Sequence, residues 1–408
     1  MEWGKAEIVK TQQDMKTPYF LLDEQELERN IDSLQTALAA HWKNHIIGYS
    51  FKTNSLPWLV DYFKNKGCYA EVVSGDEYHL AQIMGYAKDK IIYNGPCKSR
   101  KTFLEAIENG CLVNIDARRE LEWLWELADG NNKKYEVGLR INFDLEKYCP
   151  NETAMGAEGS RFGFCYENGE LKKAIDYIGA LKHIHIAGIH LHCGSSSRSL
   201  NIYRTIAGIA AQVKRAYALD LKYVNVGGGF CGGLKDKPQF RDYIPVIADE
   251  LSKEFDQENT TLVVEPGVSL VASPFEFVTS IIDVKKTTAN NFAVTDGSRI
   301  NVDPLMKKSA YFYDIIYKRD HGAERHLLDT QVVVGFTCME NDRLFELVQQ
   351  PLLSVGDRVV YQKIGAYTLC LSPLFIRYYP AVYLRRGDNF YRLRSRLTAA
   401  DYLHINAK

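Results

Sequence analysis

Eight short apolar runs, separated by stretches with apolar residues at three- and four-residue spacing, constrain this chain more than any other feature. The runs fall at residues 46–51, 69–73, 91–93, 112–115, 136–142, 184–191, 223–226 and 261–264. Between them lie helix-patterned segments at 56–63, 77–84, 101–107, 120–128, 170–181, 202–218 and 243–255. Strict alternation of this kind predicts parallel strands joined by helical crossovers, since parallel neighbours cannot be linked by a hairpin. Eight such units close into a (β/α)8 TIM-type barrel. An amphipathic segment at 24–42 and an extended run at 19–22 precede the first unit.

After about residue 272 the rhythm changes to strand-like runs without intervening helices, at 275–284, 291–295, 330–334, 344–348, 358–362, 375–384 and 390–393. Only 309–317 reads as a helix there. The expected class is therefore α/β plus all-β: a barrel over 25–271, and a β-sandwich or β-barrel domain from 1–24 and 272–408. A length of 408 residues suits that division, because a barrel takes roughly 250 as one unit.

The 46% hydrophobic and 25% charged residues are those of a globular protein with more than one core. A formal net charge of -1 without a basic stripe gives no electrostatic footprint for nucleic acid. No run approaches the roughly 18 apolar residues of a membrane span, and the opening heptapeptide has no apolar core of a leader. We expect a cytoplasmic protein with no membrane partner. Nine cysteines without C-x-x-C spacing read as reduced and mostly inert, Cys338 excepted.

Barrel enzymes carry their chemistry at the C-terminal ends of the strands. Lys52 stands at the first, in Tyr49-Ser50-Phe51-Lys52-Thr53-Asn54, where an amine can form a Schiff base. Glu71 and Ser74 follow at the second end, Asn94 at the third, Asp116 at the fourth, and Arg140 with Asn142 at the fifth. The sixth end reads His190-Leu191-His192-Cys193-Gly194-Ser195, the seventh Gly227-Gly228-Gly229 and the eighth Glu265-Pro266-Gly267. Three glycines let backbone N–H groups approach a phosphate, although a tight turn uses them equally. The glycines also satisfy G-x-G-x-x-G, but that fingerprint belongs after the first strand of a βαβ unit, not the seventh. His190 and His192 share a strand face, yet no third ligand stands at the right spacing, so no metal is expected. A carboxylate such as Glu265 can keep a pyridine nitrogen protonated.

Taken in order, the Lys52 run, His192-Cys193-Gly194-Ser195, Gly227-Gly228-Gly229-Phe230, Glu265-Pro266-Gly267, Cys338 and Gly365-Ala366-Tyr367 resemble a known family. It is that of the pyridoxal-phosphate amino-acid decarboxylases with an alanine-racemase-like barrel, which includes diaminopimelate, ornithine and carboxynorspermidine decarboxylases. The resemblance runs from Thr17-Pro18 to about Leu384. It implies that Lys52 binds pyridoxal 5'-phosphate as a Schiff base, His192 stacks on the ring and Glu265 bonds the pyridine nitrogen. Ser195, Gly227, Gly228, Gly229, Gly267, Arg140 and Tyr367 are the further cofactor-binding candidates. It also implies that Cys338 reaches the site across a homodimer interface and returns a proton to the substrate's α-carbon.

Two departures bear on the amino-acid substrate. The family has arginine after Glu-Pro-Gly, where Val268 stands here, and a short apolar side chain makes no charge-assisted bond. The family places an acidic residue directly after the cysteine, whereas this chain reads Cys338-Met339-Glu340-Asn341-Asp342. In addition, Met306-Lys307-Lys308-Ser309 stands where diaminopimelate enzymes carry an arginine-proline pair. The substrate positions to watch are thus Met339, Glu340, Tyr367 and Val268, and the expected substrate is an amino acid with a neutral, apolar or conjugated far end. Three alternatives stay open. Glu340 or Asp342 restores ordinary diaminopimelate, ornithine or lysine chemistry; the chain is a racemase; or it is an inactive regulator. Cys338 argues against racemisation, and Lys52 with Glu265 and Cys338 against an inactive protein.

Overall fold

In the computed structural model, residues 7–9, 11–130, 133–318 and 325–407 are described. Met1 to Ala6, where no leader was read, lie outside them. The chain divides into two compact units, Asn30–Ser269 and Met1–Arg29 with Leu270–Lys408.

The first unit is a closed barrel of eight parallel strands: His45–Ser50, Tyr69–Ser74, Ile91–Cys97, Leu112–Ile115, Tyr135–Asn142, Ile184–His190, Tyr223–Asn225 and Thr261–Val264. The eighth strand closes onto the first with Leu262 opposite His45 and Val264 opposite Ile47. A two-residue strand, Phe164–Cys165, adds beside the fifth. The lumen explains several residues at once. Tyr223 points inward, opposite Gly188 in the sixth strand, and a Cβ on Gly188 would lie 2.1 Å from its ring. Gly138 in the fifth strand gives way similarly, its missing Cβ falling 2.1 Å from the Tyr223 hydroxyl. Ile92, Ala187, Tyr223 and Val263 form this layer, with Ile46, Tyr69 and Leu112 packed against it. Two glycines thus make space for one large ring in the barrel lumen. Outside, the helix Leu200–Ala216 shows the general pattern. Ser199 caps it by accepting from the Ile202 N–H at 3.4 Å, and Ile202, Ile206, Ile209 and Val213 bury its inner face.

The second unit is a ten-stranded mixed sheet. Tyr19–Asp23 runs antiparallel to Phe275–Lys286 and parallel to Ala381–Arg386, which binds the amino-terminal strand firmly into it. Here the structure corrects two expectations. Residues 309–317 were read as a helix, but Phe312–Ile316 is a strand paired antiparallel with Arg358–Gln362. Tyr313 also stacks on Phe345 of the strand Arg343–Pro351 at 3.9 Å between ring centres, so strand pairing and aromatic packing override a pattern that fits either period. The strand expected at 375–384 starts only at Ala381, because Pro373 and Pro380 bracket an irregular segment and cannot donate to a ladder. No helix among the described residues is long and apolar enough to cross a membrane.

Candidate active site

Lys52 sits on a single helical turn, Phe51–Thr53, where the first strand ends. The Tyr49 hydroxyl donates to the Asn54 carbonyl at 2.6 Å and pins that turn from below. From the other side the Glu-Pro-Gly turn presses in: a Cβ on Gly267 would lie 2.1 Å from Thr53 Oγ1, so only glycine fits. Lys52 Nζ donates to Glu71 Oε2 at 2.6 Å, and the same oxygen accepts from Ser50 Oγ at 2.5 Å. The Glu71 side chain is 1% exposed and that of Lys52 39%, which leaves the amine within reach of solvent and ligand.

A chain of amides links this carboxylate to the one on the eighth strand. Asn94 Nδ2 donates to Glu71 Oε1 at 2.9 Å and to Glu265 Oε1 at 2.7 Å. Asn94 Oδ1 in turn accepts from Asn114, whose Oδ1 accepts from the Tyr223 hydroxyl. Glu265 Oε1 takes a further bond from Asn225 Nδ2 at 2.5 Å, and Oε2 lies 3.3 Å from His190 Nε2. Burial by itself raises the Glu265 pKa. The hydrogen bond from His190, the Lys52 charge and the Asn225 amide outweigh it and hold the carboxyl well below the usual range. His190 is pushed the other way by burial, toward the neutral ring, which then donates its Nε2–H to Glu265.

His192 lies against the glycine loop. Its Nδ1 accepts from the Gly228 N–H at 3.2 Å, which assigns the proton to Nε2. Burial first, then Arg140 and Lys52, lower its pKa to about 3, so the ring is neutral at any ordinary pH. The loop can be this close only because it is glycine. A Cβ on Gly228 would fall 1.9 Å from the Glu265 carbonyl oxygen, and Gly227 and Gly229 have φ of +70° and +86°. Two of its N–H groups are already committed, Gly227 to Asn225 Oδ1 and Gly228 to His192. Ser195 Oγ donates to the Glu152 carbonyl and accepts from the Arg198 N–H, on the loop after the sixth strand. Arg140 donates from Nη2 to the His192 carbonyl at 2.7 Å, while its buried Nε has no partner among the described residues.

Lys52, Glu265, His192, Arg140 and Gly227–229 thus gather at the barrel mouth, and half-buried Val268 opens the otherwise buried turn Val268–Val271 after Gly267. Cys338, Met339, Glu340 and Tyr367 belong to the second unit. Cys338 and Glu340 are exposed there, and Tyr367 holds φ +57°, in the left-handed region that a bulky residue seldom enters. Asn225, Asn114 and Glu77 were not singled out beforehand. Glu77 accepts from the Val73 N–H, and burial with the nearby Glu71 charge lifts its pKa to about 6. Asn225 was legible as a polar side chain two residues before the glycines; Glu77 sits on the following helix and left no strand-end signal.

The donor set fits a pyridoxal group: an amine for its aldehyde, a carboxylate held anionic for its ring nitrogen, a neutral imidazole and a glycine cradle. The orphaned Arg140 N–H offers a place for an anionic oxygen of the ligand. Residues 24–272 match the family described as "Pyridoxal-dependent decarboxylase, pyridoxal binding domain". The chain belongs to this decarboxylase family. It is a pyridoxal-phosphate-dependent amino-acid decarboxylase, a carboxy-lyase. The decarboxylase is 29% identical over 393 residues to a probable chloroplastic diaminopimelate decarboxylase of Oryza sativa subsp. japonica, covering 92% of this chain and 78% of that one. It is 25% identical over 419 residues to the L-glutamyl-[BtrI acyl-carrier protein] decarboxylase of Niallia circulans, covering 98% and 96%. Its fold matches the crystal structure of diaminopimelate decarboxylase from M. jannaschii with a TM-score of 0.84 at 23% identity, over 96% of this chain and 92% of that one.

Asn94 supplies a test of the site's electrostatics. Asn94→Leu leaves Glu71 and Glu265 facing each other without the amide between them, two buried like charges that cannot both stay ionised cheaply. We expect a loss of roughly 3 kcal/mol at pH 8, from two buried bonds to charged acceptors. The folded-state pKa of the pair then rises, so the loss shrinks as pH falls below that raised pKa toward the unfolded carboxylate value. Thermal melts of the holoenzyme at pH 5.5 and 8 check this; equal losses at both would refute it.

Proposed function

We propose that the enzyme decarboxylates an α-amino acid whose far end carries no ammonium group, being neutral, apolar or conjugated to a larger group. The observation that carries this is the commitment of Asp342. Its carboxylate is buried and accepts from Ser298 Oγ at 2.8 Å, the Arg299 N–H at 2.8 Å and Thr337 Oγ1 at 2.6 Å. It is a clamp for the Gly335-Phe336-Thr337-Cys338 loop and not a spare specificity group. Met339 and Val268 cannot pair with charge. The Niallia circulans relative, named for a glutamyl group on a carrier protein, is a precedent for a conjugated substrate. A competing reading rests on the diaminopimelate decarboxylases among the relatives and on the exposed Glu340, which sits two residues after Cys338.

When bound, pyridoxal phosphate supplies the electron sink for the pair left at the α-carbon as CO2 departs. Lys52 would hold the group through its aldehyde carbon, and Glu71, which accepts from the lysine Nζ at 2.6 Å, would hold the amine in place whenever it is free. Glu265 holds a proton on the ring nitrogen, and neutral His192 covers the ring without adding a competing charge. Arg140, Ser195, Gly229, Gly267 and Tyr367 would hold the cofactor's oxygens, with Gly227 and Gly228, whose N–H groups bond Asn225 and His192, shaping the cradle. Cys338 returns a proton to the α-carbon. We place the enzyme in the cytoplasm, where its nine free cysteines stay reduced, as a homodimer in which the β unit of one protomer completes the partner's site.

The substrate test is a panel of basic, acidic, neutral and side-chain-conjugated amino acids, with amine and CO2 detected by mass spectrometry. Turnover confined to neutral or conjugated members is expected; efficient turnover of free diaminopimelate, ornithine or lysine would restore the ordinary reading. Shared sites predict complementation. Lys52→Ala and Cys338→Ala homodimers are each poor, and a co-refolded mixture regains up to about a quarter of wild-type activity, from the statistical share of intact sites. Mixtures no better than their parents would place both residues in one chain's site.

A further inference from the structure

A cavity of about 280 Å³ opens in the β unit, lined among others by Pro18, Asn301, Phe336, Arg377, Tyr379 and Arg396. Its lining includes no acidic side chain. Arg377 donates one Nη1 bond to the Asp296 carbonyl at 2.8 Å, and its guanidinium lies 4.7 Å from the Phe336 ring centre. Arg396 uses Nη2 alone, toward the Thr17 and Pro18 carbonyls at 2.9 and 3.0 Å. The other N–H groups of both guanidinium forks have no protein acceptor among the described residues. Asp296, which feels both cations, is buried and accepts from the Ser280 N–H at 2.8 Å. Asn301 accepts through Oδ1 from the Ser298 N–H at 3.1 Å, which leaves its NH2 as another donor. The cavity therefore combines aromatic and proline walls with a surplus of donors and positive charge.

We propose that this cavity is an oxyanion subsite, taking a carboxylate or phosphate carried on an apolar stem. Arginine forks suit both anions, and the aromatic and proline walls suit the stem. Its place in the fold names the occupant. Phe336 stands two residues before Cys338 on the loop clamped by Asp342, a span of at most about 7 Å. The cavity wall and the thiol thus stand on one short loop, and the subsite seats the anionic far end of a conjugated substrate. This last step rests on the role given above to Cys338.

Calorimetric titration of the pyridoxal-loaded enzyme at low salt tests it, with phenyl phosphate, 3-phenylpropionate and the neutral 3-phenylpropanol as probes. At least one anion binds about ten-fold or more tighter than the alcohol, and the better anion tells phosphate from carboxylate. Arg377→Gln and Arg396→Gln each remove most of that preference, the lysine variants restore part of it, and Cys338→Ala leaves it intact. Equal binding of anion and alcohol, or a preference that survives both glutamine variants, would overturn the subsite. Turnover assays separate the two ideas. Anion binding without turnover of any anion-ended substrate sinks the occupant together with the Cys338 reading, whereas turnover without arginine dependence sinks the subsite alone.

Discussion

Lys52→Ala is expected to lose at least on the order of a thousand-fold in turnover and to lose the visible absorbance of bound cofactor, while the protein stays folded. The side chain is half-exposed, and the turn that carries it is held by other groups: the Tyr49 hydroxyl on the Asn54 carbonyl, and Gly267 against Thr53. Glu71 keeps the Ser50 hydroxyl and the Asn94 amide when the lysine is gone. Removing the amine therefore deletes the covalent anchor and little of the structure. Absorbance spectra, thermal melts and peptide mapping after borohydride reduction measure the separate parts. A reduced pyridoxyl label found on another lysine in the wild-type enzyme would sink the assignment.

Glu265→Gln is the second large effect, expected at about a hundred-fold or more in kcat. The wild-type carboxylate is surrounded by donors, Asn94 and Asn225 on Oε1 and His190 toward Oε2, which favour its anionic form. An anion is what stabilises a proton on the ring nitrogen; a neutral amide does not. The variant should fold, because glutamine Oε1 still accepts from both asparagines and His190 can turn its other tautomer toward the new NH2. Since the wild-type carboxyl lies well below the usual range, the acid limb of the wild-type kcat profile does not belong to Glu265. Removing that negative charge in Glu265→Gln should lower kcat across the whole profile and weaken the visible band of the bound cofactor. A variant with near-normal kcat, or one that merely shifts the acid limb, would remove Glu265 from this role.

Much of this arrangement was legible beforehand, for local reasons. Side-chain periodicity is set by backbone geometry, so the strand starting at Leu112 and ending at Ile115, and that from Thr261 to Val264, could be placed to the residue. The alternation of strands and helices then put Lys52, Arg140, His192 and Glu265 at one end of a barrel before any contact was known. The helix expected at 309–317 failed because Tyr311, Phe312, Tyr313, Ile315, Ile316 and Tyr317 satisfy helix and strand periods alike. Only the partner strand Arg358–Gln362 decides between them.

The sequence by itself determined the barrel, the β unit and the residues at the strand ends, since these follow from period and from the rule that loops after parallel strands share one face. Tertiary structure alone decided what those residues do to one another. Asn94 joins Glu71 to Glu265 from a strand far from the latter in sequence, and Ser298 takes the Asp342 carboxylate out of play across 44 residues. A hydrogen bond of 2.8 Å depends on where two backbones arrive in space, and no pattern along one chain records that distance.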